Sequence, residues 1–192
     1  MSAAPPSPSE TRDIARPNGL VRLGPRELTV EEGARAQSFR YADVEALRLS
    51  FRPRSLAFHV FRLDLRMTDG RTLRLHNIAM TPGAVFKPYQ RWDEGYAALA
   101  RELTARIAAA ARQAERAAGF TPMRWNAAAL VGGGALVVVA LRAAQAFGAG
   151  YPQAALIALA GACLMGAFLF PFLARNRPRS LAPDAVPAEV LP

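Results

Sequence analysis

The sequence has a single cysteine (Cys163), a single lysine (Lys87) and two histidines, His59 and His76. One cysteine excludes an intramolecular disulfide, and no metal-ligand cluster can be assembled around it. Cys163 lies in an apolar run and reads as a small packing residue. His59 and His76 each lack a Cys, His or carboxylate neighbour at ligand spacing, so both read as surface or edge positions. Asp43, Asp64, Asp69, Asp93 and Glu94 pair with no His, Ser or Cys at a catalytic spacing. The one glycine cluster, Gly132–Gly134, sits inside an apolar run, where it cannot cradle a phosphate. The expectation is therefore a non-enzyme with no metal, no cofactor and no catalytic residue. Aromatic residues do not interleave with the basic ones in a stacking pattern, and nucleic acid is not an expected partner. The N-terminal stretch is polar and proline-rich, without the basic patch and apolar core of a cleavable signal peptide.

What the sequence does have is two long apolar runs, 126–147 and 154–173, joined by a short polar break, 148–153. A helix crosses a hydrocarbon core with roughly 20 apolar residues. Both runs meet that length, and neither contains Asp or Glu. They predict a transmembrane helical hairpin. The first run carries Arg142 near the break; its long stem can snorkel to the interface, where the charge costs little. Close approach of helices in lipid is made at small residues. Gly132, Gly133 and Gly134 in the first span, with Gly161 and Gly166 in the second, are the candidate packing face. Trp125 and Tyr151 suit interfacial positions, and Pro171 falls near the end of the second span.

Basic residues orient the hairpin. Arg112, Arg116 and Arg124 precede it, and Arg175, Arg177 and Arg179 follow it, whereas the break has no Lys or Arg. The positive-inside rule puts both termini in the cytoplasm, with these six arginines against the membrane surface. The net charge of 24 − 15 = +9 suits an anionic leaflet.

Ahead of the hairpin, residues 1–18 are proline-rich, poor in large apolar side chains, and expected to be disordered. From Leu20 the pattern is one of short strands. Leu47, Leu49 and Phe51 alternate with Arg48 and Ser50. Phe61, Leu63, Leu65 and Met67 alternate with Arg62, Asp64 and Arg66. Thr68–Asp69–Gly70 is a hairpin turn signal. Beyond the irregular segment 77–88 the period becomes helical. Trp92, Tyr96, Leu99, Leu103, Ile107 and Ala110 form one stripe, with Glu102 and Arg106 as an i, i+4 pair. The Ala-rich continuation 108–118 is expected to extend this helix to a C-cap at Gly119.

Six or seven short strands followed by one amphipathic helix resemble a bacterial pleckstrin-homology-like (PH-like) domain. The stretch Leu28–Phe51, with its Tyr41–Ala42–Asp43–Val44 turn, and the Asp69–Gly70 hairpin carry the resemblance. It implies an α+β fold in which residues 19–118 form an antiparallel barrel or sandwich capped by the helix. A linker (119–125), the hairpin and a basic, Pro-rich cytoplasmic tail (174–192) follow; residues 181–192 are expected to be disordered, with Val186, Val190 and Leu191 able to dock locally. It also implies a binding or scaffold module rather than an enzyme; with the hairpin and the basic charge, the expectation is a module at the bacterial inner membrane that meets anionic lipid and a protein partner of unknown identity. The alternative makes the helical hairpin an assembly subunit of a larger membrane complex, with the PH-like domain as a handle, and a homo-oligomer is one form such an assembly can take. Outward strand parity makes Arg48, Arg52, Arg54, Arg62, Arg66 and Arg74 a candidate basic face.

Overall fold

The structure is a computed structural model that describes residues 10–17, 19–53, 59–79, 90–182 and 185–192. It is an α+β arrangement of two main sheets and three helices. Strands β1 (Arg12–Arg16), β2 (Gly19–Leu23), β3 (Glu27–Glu32) and β4 (Arg35–Arg40) form an antiparallel meander. A short 3₁₀ turn, Tyr41–Asp43, leads into β5 (Val44–Pro53), which pairs with β6 (His59–Met67) and then β7 (Thr72–His76). A two-stranded piece, β8 (Ile78–Ala79) with β9 (Gln90–Arg91), precedes α1 (Asp93–Ala110).

The alternating pattern is realised as expected. Leu47, Leu49, Phe51, Phe61, Leu63, Leu65 and Met67 are buried together, with Arg48, Arg62 and Arg66 on the opposite face. Each fully buried Leu or Phe contributes roughly 1.5–3 kcal/mol of transfer free energy. From the helix, Tyr96, Leu99, Leu103 and Ile107 enter the same core, and Val21, Leu23 and Leu28 close it from the first sheet. The β6–β7 turn has Gly70 at φ +83°, and the Gly70 amide donates to the Met67 carbonyl. At the other side Arg106, almost fully buried, donates to the carbonyls of Gly24 and Glu10 and pairs with Glu102. Tyr41 also donates to Gly24, and burial pushes its hydroxyl up to about 12.

Four expectations are corrected. Residues 12–16, placed in a disordered tail, form β1 on the edge of the first sheet and bury Ile14. Residues 1–9 and 18 of that tail lie outside the described residues. The helix does not continue to Gly119. It stops at Ala110, and Glu115–Ala118 is strand β10, parallel to β5. The tail after the hairpin is built into the domain: β11 (Arg179–Ser180) pairs with β10, and Leu181, Val190 and Leu191 enter the core beside the 3₁₀ turn Ala188–Val190. The boundaries of the hairpin also move. Helices α2 (Pro122–Gly148) and α3 (Pro152–Arg175) are longer than expected, which shortens both the linker and the turn. Pro171 consequently lies inside α3.

By length and composition both helices can cross a membrane. Their apolar windows are only 6% buried, and Leu130, Val131, Ile157 and Phe170 project outward. That separates them from the core helices of a folded domain.

Candidate functional site

The most constructed part of the molecule is the base of the hairpin, where it meets β5. Strand β10 runs along β5 only as far as Ala118, opposite Leu49. The Gly119 amide then donates to the Leu49 carbonyl at 2.7 Å. At the next position the β5 edge meets the side chain of Asn176, the C-cap residue of α3. Asn176 Oδ1 accepts from the Phe51 amide at 3.1 Å, and its Nδ2 donates to the Phe51 carbonyl at 2.8 Å. One side-chain amide thus replaces a peptide unit and extends the ladder by one residue. Asn176 Nδ2 also donates to the Phe172 carbonyl of its own helix, and the residue is completely buried. Buried amides require such partners, because an unpaired backbone group costs about 1–3 kcal/mol.

Other contacts close the same joint. The Phe120 amide donates to the Asn176 carbonyl, and the Phe120 ring packs edge-on against Phe172. Gly119 has φ +78°, and a Cβ there would lie 2.4 Å from the carbonyl oxygens of Asn176 and Arg177. Only glycine permits this approach. Trp125 Nε1 donates to the Leu173 carbonyl at 2.9 Å and ties the first turn of α2 to the last turn of α3. The hairpin is therefore not tethered by a flexible linker; it is built into the sheet.

The expected surface arginines divide by partner. Arg175 lies over the Phe51 ring at 4.7 Å. Arg179 pairs with Glu189 at 3.3 Å and donates to the Ala174 carbonyl, locking the tail to the helix end. Arg116 is half-buried in β10, where its carbonyl accepts from Leu181. Arg112, Arg124 and Arg177 are exposed. Arg142 is exposed near the distal end of α2, with Nη1 donating to Gln145. Of the candidate packing glycines, Gly132 faces the partner helix, where a Cβ would come within 2.7 Å of Leu169. Gly166 is buried beside Phe170 of its own helix. At Gly133, Gly134 and Gly161 a Cβ would meet nothing within 4 Å, so these three do not form the intrachain contact. The seam is instead a run at heptad spacing. Less exposed positions recur at spacings of three and four on both helices, Ala128, Gly132, Leu136, Val139, Ala143 and Ala146 on α2 and Ala155, Ala158, Ala162, Met165, Leu169 and Phe172 on α3, with Gly132 meeting Leu169.

The candidate basic face is largely neutralised. Arg48 pairs with Glu115 at 2.6 Å, Arg66 with Glu45 at 2.9 Å and Arg62 with Asp64 at 2.6 Å; Arg74 reaches the same Asp64 at 3.8 Å. Arg54 lies outside the described residues. Arg52 has no carboxylate partner among the described residues. Its charged form is disfavoured first by desolvation and then by Arg62; Asp64 opposes that shift, ahead of the smaller repulsions from Arg124 and Arg74.

Asn176 was not foreseen from sequence, where an Asn after a helix reads only as an ordinary cap. Comparison of the chain with protein families, curated proteins and solved structures finds no match.

Proposed function

We propose that this chain is a membrane-anchored binding module. A PH-like domain is held at the cytoplasmic face of a bacterial inner membrane by a two-span hairpin, with both termini cytoplasmic, and it positions a protein partner there. The chain acts by binding, not by catalysis. The observation that carries the reading is the joint at Asn176, Gly119 and Phe120, which couples the sheet to the hairpin and so fixes the attitude of the domain over the leaflet. The order of β1–β7 and α1 supports the PH-like assignment, a four-strand meander, the β5–β6–β7 meander, then a helix packed on both, while β8–β9 and the added strands β10 and β11 depart from it. The arginines near the hairpin base support the orientation.

Affinity purification of the tagged full-length protein in mild detergent, with mass spectrometry, tests the reading. A partner protein should co-purify stoichiometrically. Recovery of the chain alone, or its release from membranes by alkaline carbonate, would sink it.

A second reading makes the hairpin an assembly subunit. It is favoured by the outward glycines Gly133, Gly134 and Gly161, which leave room for another helix. Gly133→Leu with Gly134→Leu then abolishes oligomers captured by crosslinking in membranes. Unchanged crosslinking removes this reading.

A further inference from the structure

The outer face of β5 ends at a corner with more positive charge than the domain neutralises. Register places Arg62 opposite Ser50, and Arg52 opposite Val60, so Arg52 and Arg62 are diagonal neighbours on one face. Asp64 and Arg74 are opposed one strand further on. Asp64 is the carboxylate on this part of the face among the described residues, and it is occupied by Arg62 at 2.6 Å and Arg74 at 3.8 Å. Arg52 is left over. So is Arg124, in the first turn of α2, which holds no acidic residue. A cation there also opposes the helix dipole. Arg52 feels repulsion from Arg62, Arg124 and Arg74 and attraction from Asp64 alone, so three further cations share one carboxylate with it at this corner. Both are exposed.

The position of this corner is set by the joint. Phe51, whose backbone is bound on both sides by Asn176, immediately precedes Arg52. Arg124 immediately precedes Trp125, which is bonded to the end of α3. The two guanidiniums without an ion pair therefore stand where α2 begins and α3 ends.

We infer that Arg52 and Arg124 form a headgroup site for an anionic phospholipid of the leaflet at the hairpin base. The inference rests on the membrane-anchored reading above. Guanidinium groups present forked donors that match phosphate oxygens, and charge-assisted bonds of this type are the stronger ones. A phosphate bridging the pair relieves their mutual repulsion, and its acyl chains lie along the outward apolar face of α2, near Leu130 and Val131. The ion-paired arginines of the two main sheets, such as Arg22 with Asp13 at 2.9 Å, already have a carboxylate.

Native mass spectrometry of the full-length protein in mild detergent tests the assignment, with added phosphatidylglycerol compared against phosphatidylcholine. The wild-type chain should retain phosphatidylglycerol preferentially. Arg52→Gln with Arg124→Gln should weaken that retention about 30-fold, from two basic contacts at a membrane surface. Neither substitution removes an intramolecular ion pair, so folding is preserved. Arg35→Gln with Arg40→Gln, on exposed positions of β4, removes the same charge elsewhere and should leave retention unchanged. Equal retention by the Arg52/Arg124 variant, or an equal loss in the β4 control, overturns the site. Displacement of the lipid by millimolar inorganic phosphate would reassign the corner to a soluble anion and also overturn it. Carbonate extraction separates the two levels of failure. A chain washed off membranes refutes the anchored reading itself, whereas a chain that stays but retains lipid through both variants refutes only this corner.

Discussion

Asn176→Ala should uncouple the hairpin from the domain. The substitution deletes one acceptor and one donor, leaving the Phe51 amide and carbonyl without the partners they have at 3.1 and 2.8 Å. The Phe172 carbonyl loses a donor as well. Each orphaned buried backbone group costs about 1–3 kcal/mol. Two such groups at Phe51, with some relief from water entering the joint, give a loss of about 3 kcal/mol. For a chain of 192 residues that corresponds to a fall in Tm of roughly 6–12 °C. Thermal unfolding of the full-length protein in mild detergent measures it, and hydrogen exchange localises it to the end of β5. Asn176→Asp serves as the discriminating control. Ionised, the introduced carboxyl still accepts from the Phe51 amide but faces the Phe51 carbonyl with no donor. Protonated, it can donate again. Its stability should therefore improve as pH falls through its raised folded-state pKa, which is opposite in sign to ordinary acid destabilisation. A loss below about 0.5 kcal/mol for Asn176→Ala, with the Phe51 amide still protected from exchange, would refute the claim that this side chain carries the joint; typical net hydrogen bonds already exceed that value.

Further outcomes follow from the same geometry. Gly119→Ala should cost more than about 3 kcal/mol, because φ +78° and a 2.4 Å approach to two carbonyl oxygens both oppose a Cβ; chemical denaturation measures it. Gly132→Ala should cost about 1–2 kcal/mol by forcing Leu169 from its position, whereas Gly134→Ala, with nothing within 4 Å, should be neutral in the same detergent melt. Tyr96→Phe should be neutral or stabilise by about 1 kcal/mol, since the buried Tyr96 hydroxyl has no hydrogen-bond partner among the described residues; a destabilised variant would reveal a bond to the hydroxyl. Glu189 is held below the usual carboxylate range by backbone donation and then by Arg179. A depressed folded-state pKa contributes stability above the unfolded value near 4.5, and that contribution is lost as pH falls through the folded one. Protection of the Val190 and Leu191 amides, relative to their intrinsic exchange rates, should fall with acid, and Glu189→Gln should remove that dependence.

Parts of this molecule are legible residue by residue. The hairpin follows from two apolar runs long enough to cross a bilayer, and periodicity alone set the buried faces of β5, β6 and α1. These features are local averages over many side chains, so no single contact can overturn them. The four-strand meander was half visible. Its first strand places only Ile14 among the buried residues and is held by its ladder to β2, which composition does not report. Glu115–Ala118 is the reverse case: an Ala-rich segment with helical preference becomes a strand because the open edge of β5 offers it hydrogen bonds. The tail likewise has too little apolar surface to order itself, yet Val190 and Leu191 find a core already formed.

The function-bearing geometry belongs to tertiary structure alone. Asn176 acts on Phe51 across 125 residues of sequence, and no pattern within either segment announces it. The expected basic face proved to be a set of ion pairs, because strand register and the parallel strand β10 bring a carboxylate to most of its arginines. What determined Arg52 as the exception was position, not residue type: it falls one step past the last neutralising neighbour, beside a helix whose first turn has no acid. Sequence sets which side chains are charged or apolar, because that is chemistry. Which charges remain uncompensated depends on distances between segments far apart in the chain, and only the folded backbone decides those.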